Sequence, residues 1–150
     1  MLFRSALIRL RRYAEARDYL TEATRVYPNE LVFANALARV LAAAPDDKVR
    51  DGRRAAALQQ SAVALVRASD FLETMAMAQA ELGQFTEAAR WQRDAIAAAE
   101  KAGLADVARR ITDNLQLYEA RRPCRTPYRA DEPIEFQTTG GPQAIQSPHL

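Results

Sequence analysis

Cysteine occurs once in this sequence, at Cys124, which excludes an intrachain disulfide and argues against a disulfide-stapled secreted domain. Histidine also occurs once, at His149, one residue from the C-terminus in a Pro-rich stretch. A catalytic base needs a rigid setting, and a metal site needs several ligands at suitable spacing. One His and one Cys supply neither. No apolar run approaches the roughly 20 residues that span a bilayer. The start, Met1–Leu10, has the look of a signal peptide, but Arg4 and Arg9 interrupt its apolar run and Arg11 and Arg12 follow it. It reads as part of a helix. With no leader, no span and a single thiol, the composition leans towards a cytoplasmic location. The alternating β-branched runs of a sheet protein are missing too.

What is present is apolar and small. About half the residues are apolar (49%), enough for a real core, while aromatic residues make up only 7%. Alanine is abundant, which suits helices packed closely enough for their backbones to approach. The net charge of +2 is too small to define a partner. Residues 1–28 and 101–129 are net basic and 69–100 net acidic, and arginine supplies the positive charge except at Lys48 and Lys101.

The spacing of apolar residues predicts helices along most of the chain. The first covers about 2–10, and the second presents Tyr13, Ala16, Leu20, Ala23 and Val26 or Tyr27 before Pro28 ends it. A third runs from about Glu30 to Ala43 with Val32, Phe33, Ala36, Leu37, Val40 and Leu41 inward. After a polar loop at 44–52, a fourth at about 53–67 turns Ala55, Leu58, Ala62, Leu65 and Val66 inward. Ser69 or Asp70 is the expected N-cap of the fifth, and Asp70 with Glu73 fits a capping box loosely. Gly83 is the expected left-handed cap that ends it. The sixth starts at Gln84 or Thr86 and ends at Gly103. The seventh, about 104–121, carries Leu104, Val107, Ile111, Leu115 and Tyr118. From Pro123 the composition shifts to Pro, Thr, Gln and Gly, and 123–150 is expected to be an extended, flexible tail. Ile134–Phe136 is the one stretch there that suggests a short strand or a segment docked back on the helices.

The helices are self-similar in pairs. Tyr13-x-x-Ala16, Leu20, Ala23 recurs as Phe85-x-x-Ala88, Gln92, Ala95, and Ala55, Gln59, Ala62 repeats the spacing without the aromatic. Ala55 and Ala88 are 33 residues apart; Ala16 and Ala55 are 39 apart, the excess falling in the 44–52 loop. Two helices cross closely only where both present small side chains, and the aromatic at the turn fills the wedge between one pair and the next. This period, with these small residues and the segment Leu82-Gly83-Gln84-Phe85-Thr86-Glu87-Ala88-Ala89-Arg90, resembles the tetratricopeptide repeat family. Leu117-Tyr118-x-x-Arg121-Arg122-Pro123 resembles the C-terminal end of bacterial multi-repeat members. The sequence departs from the pattern at Gln79, Ala38, Ala76 and Cys124. The resemblance covers about four-fifths of the chain.

The resemblance implies an all-α fold: an α-solenoid of about three hairpins (about 2–28, 30–67 and 69–102), a capping helix at about 104–121, and the tail 123–150. It implies a protein or peptide partner held on the concave face, through Ser5, Arg9, Asn35, Arg39, Glu73, Met77 and Glu81, with no catalytic residue, metal or cofactor. The first hairpin starts inside its first helix, as in a chain cut from a longer array. Apolar surface is expected there at Leu2, Phe3 and Leu7, inviting an upstream repeat or self-association. The rival reading is a C-terminal accessory module of a larger enzyme or membrane protein.

Other motifs carry less. Cys124 lies near Arg121, Arg122 and Arg125, and positive charge lowers a thiol pKa, but an incidental cysteine at a helix end is the preferred reading. Gly140-Gly141-Pro142 lacks phosphate-loop spacing. Asp46, Asp47 and Asp51 lack the Gly and Glu of a calcium loop. The clusters Arg9/Arg11/Arg12 and Arg121/Arg122/Arg125/Arg129 have no aromatic stacking platform beside them, which argues against nucleic acid.

Overall fold

The computed structural model describes residues 2–134, with side chains from Ser5 onward. Those residues form seven helices and no strand: α1 (Leu2–Arg9), α2 (Tyr13–Val26), α3 (Leu31–Ala43), α4 (Gly52–Leu65), α5 (Ser69–Glu81), α6 (Phe85–Lys101) and α7 (Ala105–Glu119). The fold is all-α, as the periodicity predicts. Each helix packs on the next in the chain, and α3 also packs on α5. The residues that permit this are largely alanines: Ala23, Ala38, Ala55, Ala62, Ala76, Ala88, Ala95 and Ala99 are all fully buried. A small side chain at each crossing removes the steric spacer between backbones. Phe33, Leu37, Leu41 and Met77 fill the larger core, and Val63, Leu72, Met75 and Ile111 fill a second one.

Four turns are built alike. After α1, α5, α6 and α7, one residue takes a left-handed conformation: Arg11 (φ 59°), Gly83 (φ 76°), Gly103 (φ 76°) and Arg121 (φ 58°). In each, the next amide reaches back to the carbonyl five residues earlier, from Arg12 to Leu7, Gln84 to Gln79, Leu104 to Ala99 and Arg122 to Leu117, at 2.8–2.9 Å. This satisfies carbonyls that the helix end leaves open. Glycine meets that geometry without steric strain at 83 and 103; arginine meets it at 11 and 121 against the usual preference.

The loop between α3 and α4 is ordered by Arg50. Its guanidinium donates to the carbonyls of Ala44 (2.8 Å) and Pro45 (2.9 Å), to the Asp47 carboxylate, and to Glu81 on α5 (3.1 Å). Asp51 then caps α4 by accepting the Arg54 amide at 3.1 Å.

Several expectations need correction. Helix α5 starts at Ser69 behind Ala68, which makes no side-chain cap, so neither Ser69 nor Asp70 is the N-cap. Glu73 does not close a capping box, because its carboxylate is engaged by Arg39 and Gln92. On α4 the buried face runs through Ala55, Gln59, Ala62 and Val63, and Leu65 is 75% exposed. Leu7 is buried in the core, so it offers no open apolar surface; Leu10, 65% exposed, does. The side chains of Leu2 and Phe3 lie outside the described residues.

The largest correction concerns the tail. Residues 123–134 are not loose: they run without helix or strand across the helices, with Cys124 and Pro127 buried and Tyr128 and Ile134 packed on the larger core. Residues 135–150 lie outside the described residues, and with them Glu135 and Phe136 of the suggested strand, Gly140-Gly141-Pro142 and His149.

Candidate functional site: a cleft lined by three helices and an extended segment

Three of the seven residues expected on the concave face, Arg9, Arg39 and Glu81, engage an extended stretch of chain, and that stretch is the protein's own. Arg39, on α3, is 3% exposed. Its Nε donates to the Pro127 carbonyl at 2.5 Å, and one terminal nitrogen donates to Glu73 on α5 (2.5 Å) and to Glu132 (2.9 Å). The guanidinium carbon lies 4.8 Å from the centre of the Tyr128 ring. Burial alone would disfavour the Arg39 charge, but Glu73 and Glu132 outweigh it and push its pKa up. The same burial pushes the Tyr128 hydroxyl up, against the pull of Arg39. Arg39 is thus a fixed cation clamping backbone, ring and carboxylate at once, a use for which the planar, always-charged guanidinium is suited.

The other residues fall on either side of it. Arg9, on α1, donates to the carbonyls of Arg129 (3.1 Å), Ala130 (2.9 Å) and Glu132, gathering the end of the segment. Glu81, at the end of α5, accepts from Arg125 at 2.6 Å as well as from Arg50. Asn35 is buried and accepts a hydrogen bond from Gln59 at 2.9 Å. Met77 lies in the core beneath the face, 1% exposed, and Ser5 is half-buried on α1, away from the cleft.

Beside the segment a cleft of about 430 Å³ remains. Its walls are Val32, Asn35, Ala36 and Arg39 from α3, Ser69, Asp70 and Glu73 from α5, and Leu104, Val107, Arg110 and Ile111 from the start of α7. Tyr128, Glu132 and Pro133 close the fourth side. The cleft is mixed in character, with aliphatic walls and charges of both signs. Arg110 stands out because its Nε is buried without a hydrogen-bond partner.

Two glutamines hold the helices that shape this cleft. Gln59 on α4 donates to Asn35 on α3 (2.9 Å) and to the Phe71 carbonyl on α5 (2.8 Å). Gln92 on α6 donates to Glu73 on α5 (3.2 Å) and to the Ile111 carbonyl on α7 (2.7 Å). Both are fully buried, and they lie 33 residues apart. Each amide nitrogen ties the preceding odd-numbered helix to the following one, and each amide carbonyl is left without a partner. The recurrence of a polar residue within an alanine stripe was the sequence signal for this role. Asp70, Arg110 and Glu132 had no such signal, since each is an ordinary charged residue until the chain folds.

Cys124 is buried, not exposed beside the neighbouring arginines. It is 2% exposed, its Sγ faces the Thr126 carbonyl at 3.3 Å, and burial pushes its pKa up. Asp46, Asp47 and Asp51 serve the α3–α4 loop. Among the described residues no group of acidic, His and Cys side chains is placed to hold a metal, and no helix is long and apolar enough to cross a membrane. Comparison with family models, with curated proteins and with solved structures finds no match to this chain.

Proposed function

We propose that this protein is a non-catalytic interaction module whose helix pairs form a tetratricopeptide-like solenoid and whose concave cleft receives an extended peptide segment of a partner protein. The observation that carries the reading is the seating of 123–134. An irregular chain is held on this face by a backbone carbonyl, a carboxylate and an aromatic ring, all on Arg39. A surface that binds one extended segment this way has the chemistry to bind another alongside it. The cleft of about 430 Å³ gives room for one or two partner side chains, with Val32, Val107 and Ile111 as apolar walls and the buried Arg110 Nε as an unpaired donor. The solenoid reading is supported by the 33-residue recurrence of Gln59 and Gln92 in the same bridging role, and by the four turns of one design.

The test is selection of peptides from a random library on the immobilised full chain, followed by measured affinities for the wild type and for Val107→Asp. Val107 is half-buried at the cleft wall and packs on the second core, so affinities are compared only for variant protein whose urea unfolding shows it folded. Recovered peptides should converge on a shared pattern and lose about tenfold or more in affinity on the variant. Peptides that bind both proteins equally would place any binding elsewhere and sink the proposal.

A further inference from the structure

A second cavity, of about 230 Å³, lies at the α1–α2 turn and shares Tyr128 of the extended segment with the cleft. It is lined by Arg9, Arg11 and Arg129 together with Tyr13, and by no acidic side chain. Two of these arginines already have partners. Arg9 donates to three backbone carbonyls, which are neutral and leave its charge uncompensated. Arg129 reaches Asp113 at 3.3 Å, a carboxylate that is itself mostly exposed to solvent. Arg11 forms no ion pair among the described residues; its guanidinium lies close to the Tyr13 hydroxyl. The nearby Glu15 is taken by Arg12 at 2.6 Å.

The backbone adds an independent observation. Arg11 occupies a left-handed turn position that glycine fills in the same turn after α5 and after α6. A side chain there is carried against the conformational preference of an L-residue. The other arginine in such a position, Arg121, has a visible use, with its guanidinium 5.4 Å from the Phe85 ring centre. Arg11 is aimed instead into a cavity of like charge. Three guanidinium groups around one opening repel each other until an anion enters, and planar N–H forks match the oxygens of phosphate and carboxylate.

We propose that the Arg9–Arg11–Arg129 cavity is an oxyanion-binding site, taking a phosphate or carboxylate group, with Arg11 as its principal ligand and the Tyr13 hydroxyl as a further donor. Tyr128 lines both openings, but the proposed ligands Arg9, Arg11 and Arg129 line only this one.

The experiment is a calorimetric and thermal-shift titration of the full chain with inorganic phosphate and, separately, with acetate, at ionic strength matched with sodium chloride so that general screening cancels. Binding to the folded state raises Tm as the anion is added. A rise with phosphate alone assigns the site to phosphate groups, and a rise with both assigns it to oxyanions in general. The deciding variant is Arg11→Gly, which relieves the left-handed strain. It is expected to fold with a Tm above that of the wild type without added anion, and to lose about tenfold or more in anion affinity. Tyr13→Phe should give a smaller loss. No heat and no Tm rise in the wild type beyond the chloride control would overturn the proposal, as would an Arg11→Gly protein that binds the anions as tightly as the wild type.

Discussion

The grip of Arg39 on Glu132 is the contact that turns an irregular C-terminal segment into a wall of the cleft, and Glu132→Gln isolates it. The substitution keeps the size and shape of the side chain and removes its charge. Arg39 retains Glu73 at 2.5 Å and the Pro127 carbonyl at 2.5 Å, so the guanidinium is not orphaned. What is lost is the charge of a carboxylate, 13% exposed, that accepts from Arg39 at 2.9 Å and from the Arg129 amide at 3.0 Å, and one of its two acceptor oxygens. Bonds to charged groups contribute about 1.5–3 kcal/mol, and the one to Arg39 is shielded from solvent at both ends. For a chain of this length each kcal/mol moves Tm by roughly 2–4 °C, so the variant should melt about 3–12 °C lower. Arg39→Met is a different perturbation, because it leaves Glu73 and Glu132 facing each other without a cation; breaking a buried pair in this way costs about 3–5 kcal/mol. The double variant should be less destabilised than the sum, since each single change already removes the shared bond. Urea unfolding of the four proteins measures the cycle, and trypsin cleavage after Arg129 reports on the segment itself. Cleavage should be faster in Glu132→Gln than in the wild type under native conditions. A loss below about 0.5 kcal/mol with unchanged cleavage would be the signature of an ordinary surface pair, and would refute the claim that this contact holds the segment down.

Two further outcomes follow from the buried polar groups. Gln92→Leu should be more destabilising than Gln59→Leu in urea unfolding. Each removes a second donor from a helix carbonyl that keeps its own helical amide, at about 0.5–1.5 kcal/mol, but Gln92 also serves the charged Glu73 whereas Gln59 serves the neutral Asn35; the reverse order would contradict the bridging roles. Cys124 should resist thiol reagents in the native protein and react on unfolding. Its folded pKa is raised by burial, so the folded state keeps its proton when the unfolded state has released it. The stability this contributes is fully present below the unfolded thiol pKa of about 8.5 and is lost as pH rises past it. The wild type should therefore lose stability between about pH 8 and 10 more steeply than Cys124→Ala; equal slopes would show that Cys124 is not the group responsible.

The helices were legible because burial on one side of a helix leaves a 3.6-residue trace, and because alanine at Ala55, Ala62, Ala88 and Ala95 marks a crossing. The turn at Gly83 was legible for the same kind of reason, since only glycine is at ease there. The equivalent turns at Arg11 and Arg121 were not, because arginine gives no hint of a left-handed backbone. The inward stripe of α4 was misread at Leu65, where apolar character pointed inward and the helix end leaves it in solvent, while the buried position went to the polar Gln59. The segment 123–134 was read as part of a flexible tail, with docking onto the helices suggested only from Ile134, which does pack on the core. Its proline, arginine and threonine content reads as solvated chain, and nothing local would order it. What orders it is distant in sequence: Arg9, Arg39 and Glu81, each on a different helix. Those residues were expected to hold a partner peptide; the chain they hold is their own.

The most direct test of the account as a whole is the affinity of library-selected peptides for wild type and Val107→Asp, measured on the full chain with 123–134 in place. Peptides of shared pattern that bind the wild type and lose about tenfold or more on the variant are the predicted result. Selection that yields no peptide of common pattern, or binding indifferent to Val107, would contradict a peptide-receiving cleft.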